Sequence, residues 1–364
     1  MALETFFIKK GVELIGELGK NLLNIRTERQ DEIDAIENIC GPLDNLIPYY
    51  VEPDGQNVNP ADLEEDSIGL IAANPILSML DTFLVDQKRF THAFILSDAG
   101  MGKTSLLVML KLAFLNKFVQ SKCNVVLFKL GKKSLKDIKK IKNPASTILL
   151  LDALDEDPEA WDDFHKRIGD LLRASQKFRK VVISCRTQFF PKDQEEDSRI
   201  PGIFKLHGFY CFKLFLSPFN DEKVAEYLKR RFRKKKEREK ANVIMEKMHF
   251  LKFRPMLLSH IDLLIPQNCS FDTAYEVYQA MVEEWLDREI KIPGKSPKDP
   301  IVSGDEKNLL FSACMAIAKH LYDKNEPWIN HKTMQDILSA ELLDSIDSMK
   351  IGGRSLLHRT SESL

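Results

Sequence analysis

Between the apolar run 93–96 and the helix-forming run 106–118 the chain reads Ser97-Asp98-Ala99-Gly100-Met101-Gly102-Lys103-Thr104-Ser105, and no other segment constrains the fold as strongly. An apolar strand that feeds a glycine-rich turn and then a helix lets backbone N–H groups converge on an anion, with the helix N-terminus adding positive potential. In the pattern G-x-x-x-x-G-K-[ST] the lysine, here Lys103, reaches the β and γ phosphates, and the hydroxyl, here Thr104, goes to Mg²⁺. Ser97 stands where that pattern has its first glycine. The exchange costs little if φ at Ser97 is negative and strains a residue bearing a Cβ if φ is positive. The plainer alternative is an ordinary glycine turn ahead of a helix.

From residue 92 to 216 short apolar runs alternate with helical stretches. Strands are predicted near 92–97, 124–130, 147–152, 180–185 and 210–216, and helices near 102–118, 134–141 and 158–174. That alternation gives an α/β fold, a parallel sheet with helices on both faces, and continuous runs such as 148–151 and 181–184 suit strands buried on both sides. Ligands of such sheets bind at the carboxyl ends of the strands.

The chemistry-bearing residues follow those ends. The run 147–151 closes on Asp152, forty-nine residues after Lys103, where a carboxylate can hold Mg²⁺ through its water shell. A charge ending a mostly apolar strand needs a partner, which speaks against a purely solvated role for it. Ala153-Leu154-Asp155-Glu156-Asp157 follow, which puts acids one short turn beyond. There Glu156, with Asp155 close behind, can orient or deprotonate an attacking water. A solvated acidic turn is the plainer reading of Asp157 and Glu159. The next strand runs into Cys185-Arg186-Thr187. Arg186 can report a γ phosphate and stabilise transition-state charge, or it can make a merely structural ion pair.

The remaining chain sets the organisation. Phe6, Phe7, Val12, Ile15, Leu18, Leu22 and Leu23 mark a helical region over 1–40, interrupted by Gly11, Gly16 and Gly19. Residues 41–66, with four prolines, read as an irregular connector. A helix near 74–87 leads into a nucleotide domain spanning 67–216, and a helical domain over 217–345 opens with Asn220 as N-cap. In that domain Tyr275, Tyr278, Val282, Trp285 and Leu286, and likewise Leu309, Ala313, Ile317 and Leu321, read as core faces. Charge is balanced at 53 basic and 54 acidic residues, which excludes a global field for nucleic acid or membrane. Six scattered cysteines without C-x-x-C spacing fit a reducing, cytoplasmic setting, and neither a membrane span nor a dedicated His/Cys metal site is expected. Residues 229–240, from Lys229 to Lys240, hold nine lysines or arginines against two glutamates. The run is a solvated helix face or a nucleic-acid contact, with only Phe232 and Tyr227 as aromatic partners.

These motifs together resemble the NACHT family, within the STAND class of P-loop NTPases that act as signalling switches. The family's loop G-x-A-G-x-G-K-[ST]-x-L is met by S-D-A-G-M-G-K-T-S-L, and its D, small, apolar, D-E strand end by Asp152-Ala153-Leu154-Asp155-Glu156. Residues 215–220 look like the entry to its helical domain, and Arg254-Pro255-Met256-Leu257-Leu258 like its proline segment. The resemblance implies a sheet order 5-1-4-3-2, ATP/ADP and Mg²⁺ as cofactors, Pro255 against the adenine and an ADP-bound resting state. It further implies self-association on exchange for ATP, with trigger and effector proteins unknown, and for bacterial members defence against phage. In the family a winged-helix domain supplies a histidine to the phosphates, and residues 346–364 are expected to be the start of such a domain, truncated or missing here. The leading expectation is a nucleotide-gated switch with slow ATP hydrolysis. A cycling ATPase that remodels a protein or nucleic acid, against which the Ala153 spacing speaks, and a non-hydrolysing nucleotide-binding scaffold are the alternatives.

Overall fold

The structure, a computed structural model, describes residues 11–58, 74–85, 90–115, 123–191, 195–196, 202–265, 304–324 and 331–340, with isolated positions at 271–283, 329 and 343. Two helices, α1 (Gly11–Glu28) and α2 (Gln30–Cys40), come first, followed by two 3₁₀ turns and a short strand β1 (Asp54–Gln56). Strand β2 (Asn74–Pro75) and helix α3 (Ile76–Val85) lead to β3 (His92–Ser97) and α4 (Lys103–Leu115). Then come β4 (Asn124–Lys129), α5 (Ser134–Lys140), β5 (Thr147–Asp152), α6 (Pro158–Asp162), α7 (Phe164–Ser175) and β6 (Lys180–Arg186). Strands β7 (Glu195–Glu196), β8 (Ile203–Leu206) and β9 (Phe209–Leu216) complete the sheet. The helices α8 (Asp221–Arg231), α9 (Lys235–Lys247), α10 (Pro255–Leu258), α11 (Ile261–Leu264), α12 (Gly304–Lys324) and α13 (His331–Ile337) follow.

The five parallel strands run β9-β3-β6-β5-β4, which is 5-1-4-3-2 when counted from the strand that carries the glycine loop. Each is apolar on both faces because successive side chains alternate between two cores. Ala93, Ile95, Ile148, Leu150, Val182 and Leu214 join α1, α2, α3 and α4 on one side. Phe94, Leu96, Leu149, Leu151, Ile183 and Phe215 join α7 on the other. The parallel strand order is held by burial on both sides of the sheet.

The sheet is larger than the parallel core. The outer edge of β9 is shared, its first half pairing antiparallel with β8 and its last residues with β1, which in turn pairs with β2. His207 and Gly208, both at positive φ, turn β8 into β9 in the manner of a two-residue hairpin. The helix expected over 158–174 is divided at Asp163, whose side chain accepts the Lys166 N–H and starts α7 anew. Residues 41–58 are more ordered than a connector, holding the 3₁₀ turns and β1.

By compactness the chain forms two units, residues up to 242 with 250–259, and residues 243–249 with those from 260 on. Helix α8 and the segment 250–259 thus belong with the sheet. In the second unit Ala313, Ile317, Met334 and Leu338 make a small core with Val282 and Leu321 against it, whereas Tyr275 is 61% exposed and corrects its assignment to a core face. Leu23 is likewise exposed on α1, while Leu18 and Leu22 are buried. Phe6, Phe7, Tyr278, Trp285, Leu286 and residues 346–364 lie outside the described residues. Among the described residues the cysteines are unbridged, and no helix is long and apolar enough to cross a membrane.

Candidate functional site

The loop between β3 and α4 turns on Gly100 (φ +75°) and Gly102 (φ +88°). Gly100 has a second reason to be glycine: a Cβ there would sit 2.9 Å from the Cβ of Met256. Ser97 is not among the residues with positive φ, so its replacement of glycine carries no backbone strain. Its hydroxyl is used instead. Lys103 Nζ donates to Ser97 Oγ at 3.1 Å, to the Ser97 carbonyl at 3.0 Å and to the Asp98 carbonyl at 2.9 Å. Burial pulls the Lys103 ammonium below its ordinary pKa, with the charge of Asp155 acting in the opposite direction. At the end of the loop the Leu106 N–H bonds to the Gly102 carbonyl, closing the first turn of α4.

Asp152 is 1% exposed and fully engaged: Oδ2 accepts from Thr104 Oγ1 at 2.7 Å and Oδ1 from Ser184 Oγ at 2.6 Å. Desolvation raises its pKa, and these two hydrogen bonds oppose the rise by favouring the charged form. Ser184 also accepts the Ala153 N–H at 2.8 Å. Ala153 takes left-handed values (φ 58°, ψ 57°), which turns the chain sharply and sets Leu154–Glu156 into a 3₁₀ turn. The strain of that conformation comes from the Cβ, so glycine would relieve it and a β-branched residue would suffer most.

That turn delivers the acids to Arg186. Asp155 Oδ1 accepts the Arg186 backbone N–H at 2.9 Å and Oδ2 its Nε at 2.8 Å. Arg186 Nη2 lies 3.5 Å from Glu156 Oε1, and Lys129 Nζ lies 2.9 Å from Glu156 Oε2. Register explains the meeting, since Ser97 is paired with Arg186 and Lys129 with Asp152. Asp157, read from sequence as solvated, is instead wholly buried against Arg167 and caps α6.

The proline segment closes over the loop. The Met256 N–H donates to the Gly100 carbonyl at 3.0 Å, and Arg254 Nη2 lies 3.4 Å from Asp98 Oδ2. A cavity of about 360 Å³ results, lined by residues 99–105, Asp152, Asp155, Glu156, Arg186 and Pro255. Of the residues picked out from sequence, Ser97 and Asp98 lie outside this lining, Ser97 beneath it as the acceptor for Lys103. The lining also holds residues that the sequence did not place at this site: Ser184, and an aromatic and apolar group made by Leu46, Tyr49, Tyr50, Val51, Phe219 and Tyr227. Tyr227 and Phe232 are buried, so neither is placed to stack a base beside the basic run, and Arg230, Arg231, Lys234 and Arg238 have partners within the protein. Among the described residues no cluster of three or more His, Cys, Asp or Glu could hold a metal by itself.

Strand order and loop define a P-loop NTPase fold. No family model matches the chain, and no curated protein does. Among solved structures, the Holliday junction branch migration motor RuvB of Thermotoga maritima is similar at 11% identity and a TM-score of 0.33, over 82% of this chain and 91% of that one. A Walker-type ATPase of Pyrococcus abyssi is similar at 16% identity and 0.34, over 72% and 85%. The ORC1 protein of Aeropyrum pernix, solved in complex with DNA, is similar at 14% identity and 0.35, over 76% and 82%.

Proposed function

We propose that this chain binds ATP and ADP with Mg²⁺, hydrolyses ATP slowly and works as a nucleotide-gated switch of the NACHT kind. The observation that carries the proposal is the meeting of Lys103, the Thr104–Asp152 pair and the Arg186–Asp155–Glu156 group around one cavity. The donor set suits the metal, since Thr104 and Asp152 offer hard oxygens and Mg²⁺ is held by one or two carboxylates together with phosphate oxygens and water. Bound there, it would neutralise charge on the β and γ phosphate oxygens. Lys103 and the loop amides bind and orient the phosphates. Glu156 or Asp155 takes a proton from water or positions it. Arg186 is divided between two carboxylates, and a γ phosphate competes with them for the same guanidinium. That competition gives the triphosphate and the diphosphate different contacts, which a switch requires. The resemblance to NACHT proteins supports self-association in the ATP state and, as the biological setting, antiphage defence.

Two measurements test the reading. Mass spectrometry of the ligand carried through purification should find ADP or ATP in the wild type and none in Lys103→Ala. Light scattering of the longest available form of the protein should show larger particles with a non-hydrolysable ATP analogue than with ADP. Equal particle sizes would remove the switch, and rapid steady-state turnover by the isolated protein would replace it with a cycling ATPase.

A further inference from the structure

Strand order puts the acids of the turn between two cations. Strands β4, β5 and β6 lie side by side in that order and end at Lys129, Asp152 and Arg186. Backbone pairing fixes Lys129 in place: it stands opposite Asp152, and the next amide, that of Leu130, donates to the Asp152 carbonyl at 2.9 Å. Glu156, one short turn beyond Asp152, therefore meets a cation from each neighbouring strand. Each takes one carboxylate oxygen, Lys129 Nζ at 2.9 Å and Arg186 Nη2 at 3.5 Å.

The two acids are held differently. Asp155 gives both oxygens to one residue, to the backbone N–H and the Nε of Arg186, and its side chain is 3% exposed. A carboxylate so enclosed fixes the guanidinium and is poorly placed to receive water. Glu156 is 29% exposed, lines the cavity and touches Arg186 by the longer contact. An arriving γ phosphate takes that weaker contact first, and Glu156 then depends on Lys129 for its place. Lys129 is half-exposed and is not among the residues lining the cavity, so it reaches the reaction through Glu156. Three donors on a flexible stem let an ammonium keep hold of a carboxylate that shifts toward water.

We propose that Glu156 is the acid that handles the attacking water and that Lys129 is its positioning residue, holding the carboxylate at the cavity once Arg186 is engaged by the γ phosphate. This rests on the nucleotide reading above and deepens it. In the step Glu156 serves, the water oxygen bonds to the γ phosphorus, the bond from that phosphorus to the β–γ bridging oxygen breaks, and the proton of the water passes to Glu156.

The test is Lys129→Met in the whole chain, which keeps an unbranched side chain and removes its charge. The kcat for MgATP should fall about five- to tenfold, the worth of one partly exposed charge-assisted hydrogen bond, with KM within about twofold of wild type. Lys129→Arg should return most of the loss. The same Lys129→Met exchange made in a Glu156→Gln background should change kcat by less than about twofold, because the carboxylate it acts through is already gone. Lys129→Met should melt with wild type, since an exposed ion pair contributes little to stability. An unchanged kcat in Lys129→Met, or an equal loss in the Glu156→Gln background, would overturn the role given to Lys129. Undiminished hydrolysis by Glu156→Gln alone would hand the water to Asp155 and overturn it as well. Wild type that fails to bind MgATP in calorimetric titration would overturn the nucleotide reading itself, which none of the other results does.

Discussion

Asp155 and Asp157 stand two residues apart, and each meets an arginine at almost the same distance, Arg186 at 2.8 Å and Arg167 at 2.7 Å. Their surroundings separate them. The Asp157–Arg167 pair is 0% and 4% exposed at its side chains, and its remaining hydrogen bonds are made inside the protein, to the Glu159 N–H and the Gly131 carbonyl. The Arg186 side chain is 18% exposed, shares its guanidinium with Glu156, and opens on the cavity with Lys129 reaching the same glutamate. An ion pair whose bonding is completed within the fold is architecture. One divided among several partners beside a cavity can be redistributed by an incoming anion, and that is a property of a site.

The largest test of this contrast is Asp157→Ala, which leaves Arg167 buried and unpaired. It should cost about 3–5 kcal/mol in denaturant unfolding, the usual penalty for breaking an enclosed pair. A loss under about 1 kcal/mol would erase the distinction. Asp155→Asn should lower ATP hydrolysis about 10²-fold. Its carboxylate is also only 3% exposed, so the exchange should cost stability too, but less than Asp157→Ala because Arg186 keeps Glu156 as a partner. A parallel assay of Glu156→Gln shows which acid handles the water.

Asp81 sharpens the comparison as a buried aspartate with no arginine. It is 2% exposed on α3, its Oδ1 has no partner, and desolvation pushes its pKa up to about 6 from the ordinary 3.8. Because the folded value is the higher one, the stability this group lends is complete below pH 3.8 and lost as pH rises through about 6. Asp81→Asn should therefore raise stability by about 1–2 kcal/mol at pH 8 and leave it nearly unchanged at pH 4, as melting curves at the two values will show. The smallest effect is expected at Ala153→Gly, which relieves left-handed strain for at most about 1 kcal/mol and leaves hydrolysis within about twofold, since the turn that aims Asp155 survives.

Strands β3, β5 and β6 were legible because burial on both faces makes each a nearly continuous apolar run, β4 and β9 from shorter apolar runs, and Lys103, Asp152 and Arg186 because each follows the end of a run. The antiparallel additions were not. Strands β1, β2, β7 and β8 are two to four residues long, too short to show alternation, although His207-Gly208 was a readable turn signal. Ser184 was hidden inside an apolar run, and its role exists only through Asp152 and Ala153, more than thirty residues earlier. Tyr50 fell in a proline-rich stretch that reads as connector until β1 pins it to the sheet edge. Asp157 looked solvated because its partner lies ten residues on, across a helix break that no periodicity reveals.

The glycine loop has one more consequence, and it concerns oxygen atoms. The carbonyls of Ser97 and Asp98 are consumed by the lysine, that of Gly100 by the Met256 amide and that of Gly102 by the helix. Four potential acceptors are thereby engaged by the protein's own donors. A visitor to the cradle is judged by its sign: polyanions find amides, and a cation arriving alone finds four of the loop's carbonyls already accepting hydrogen bonds.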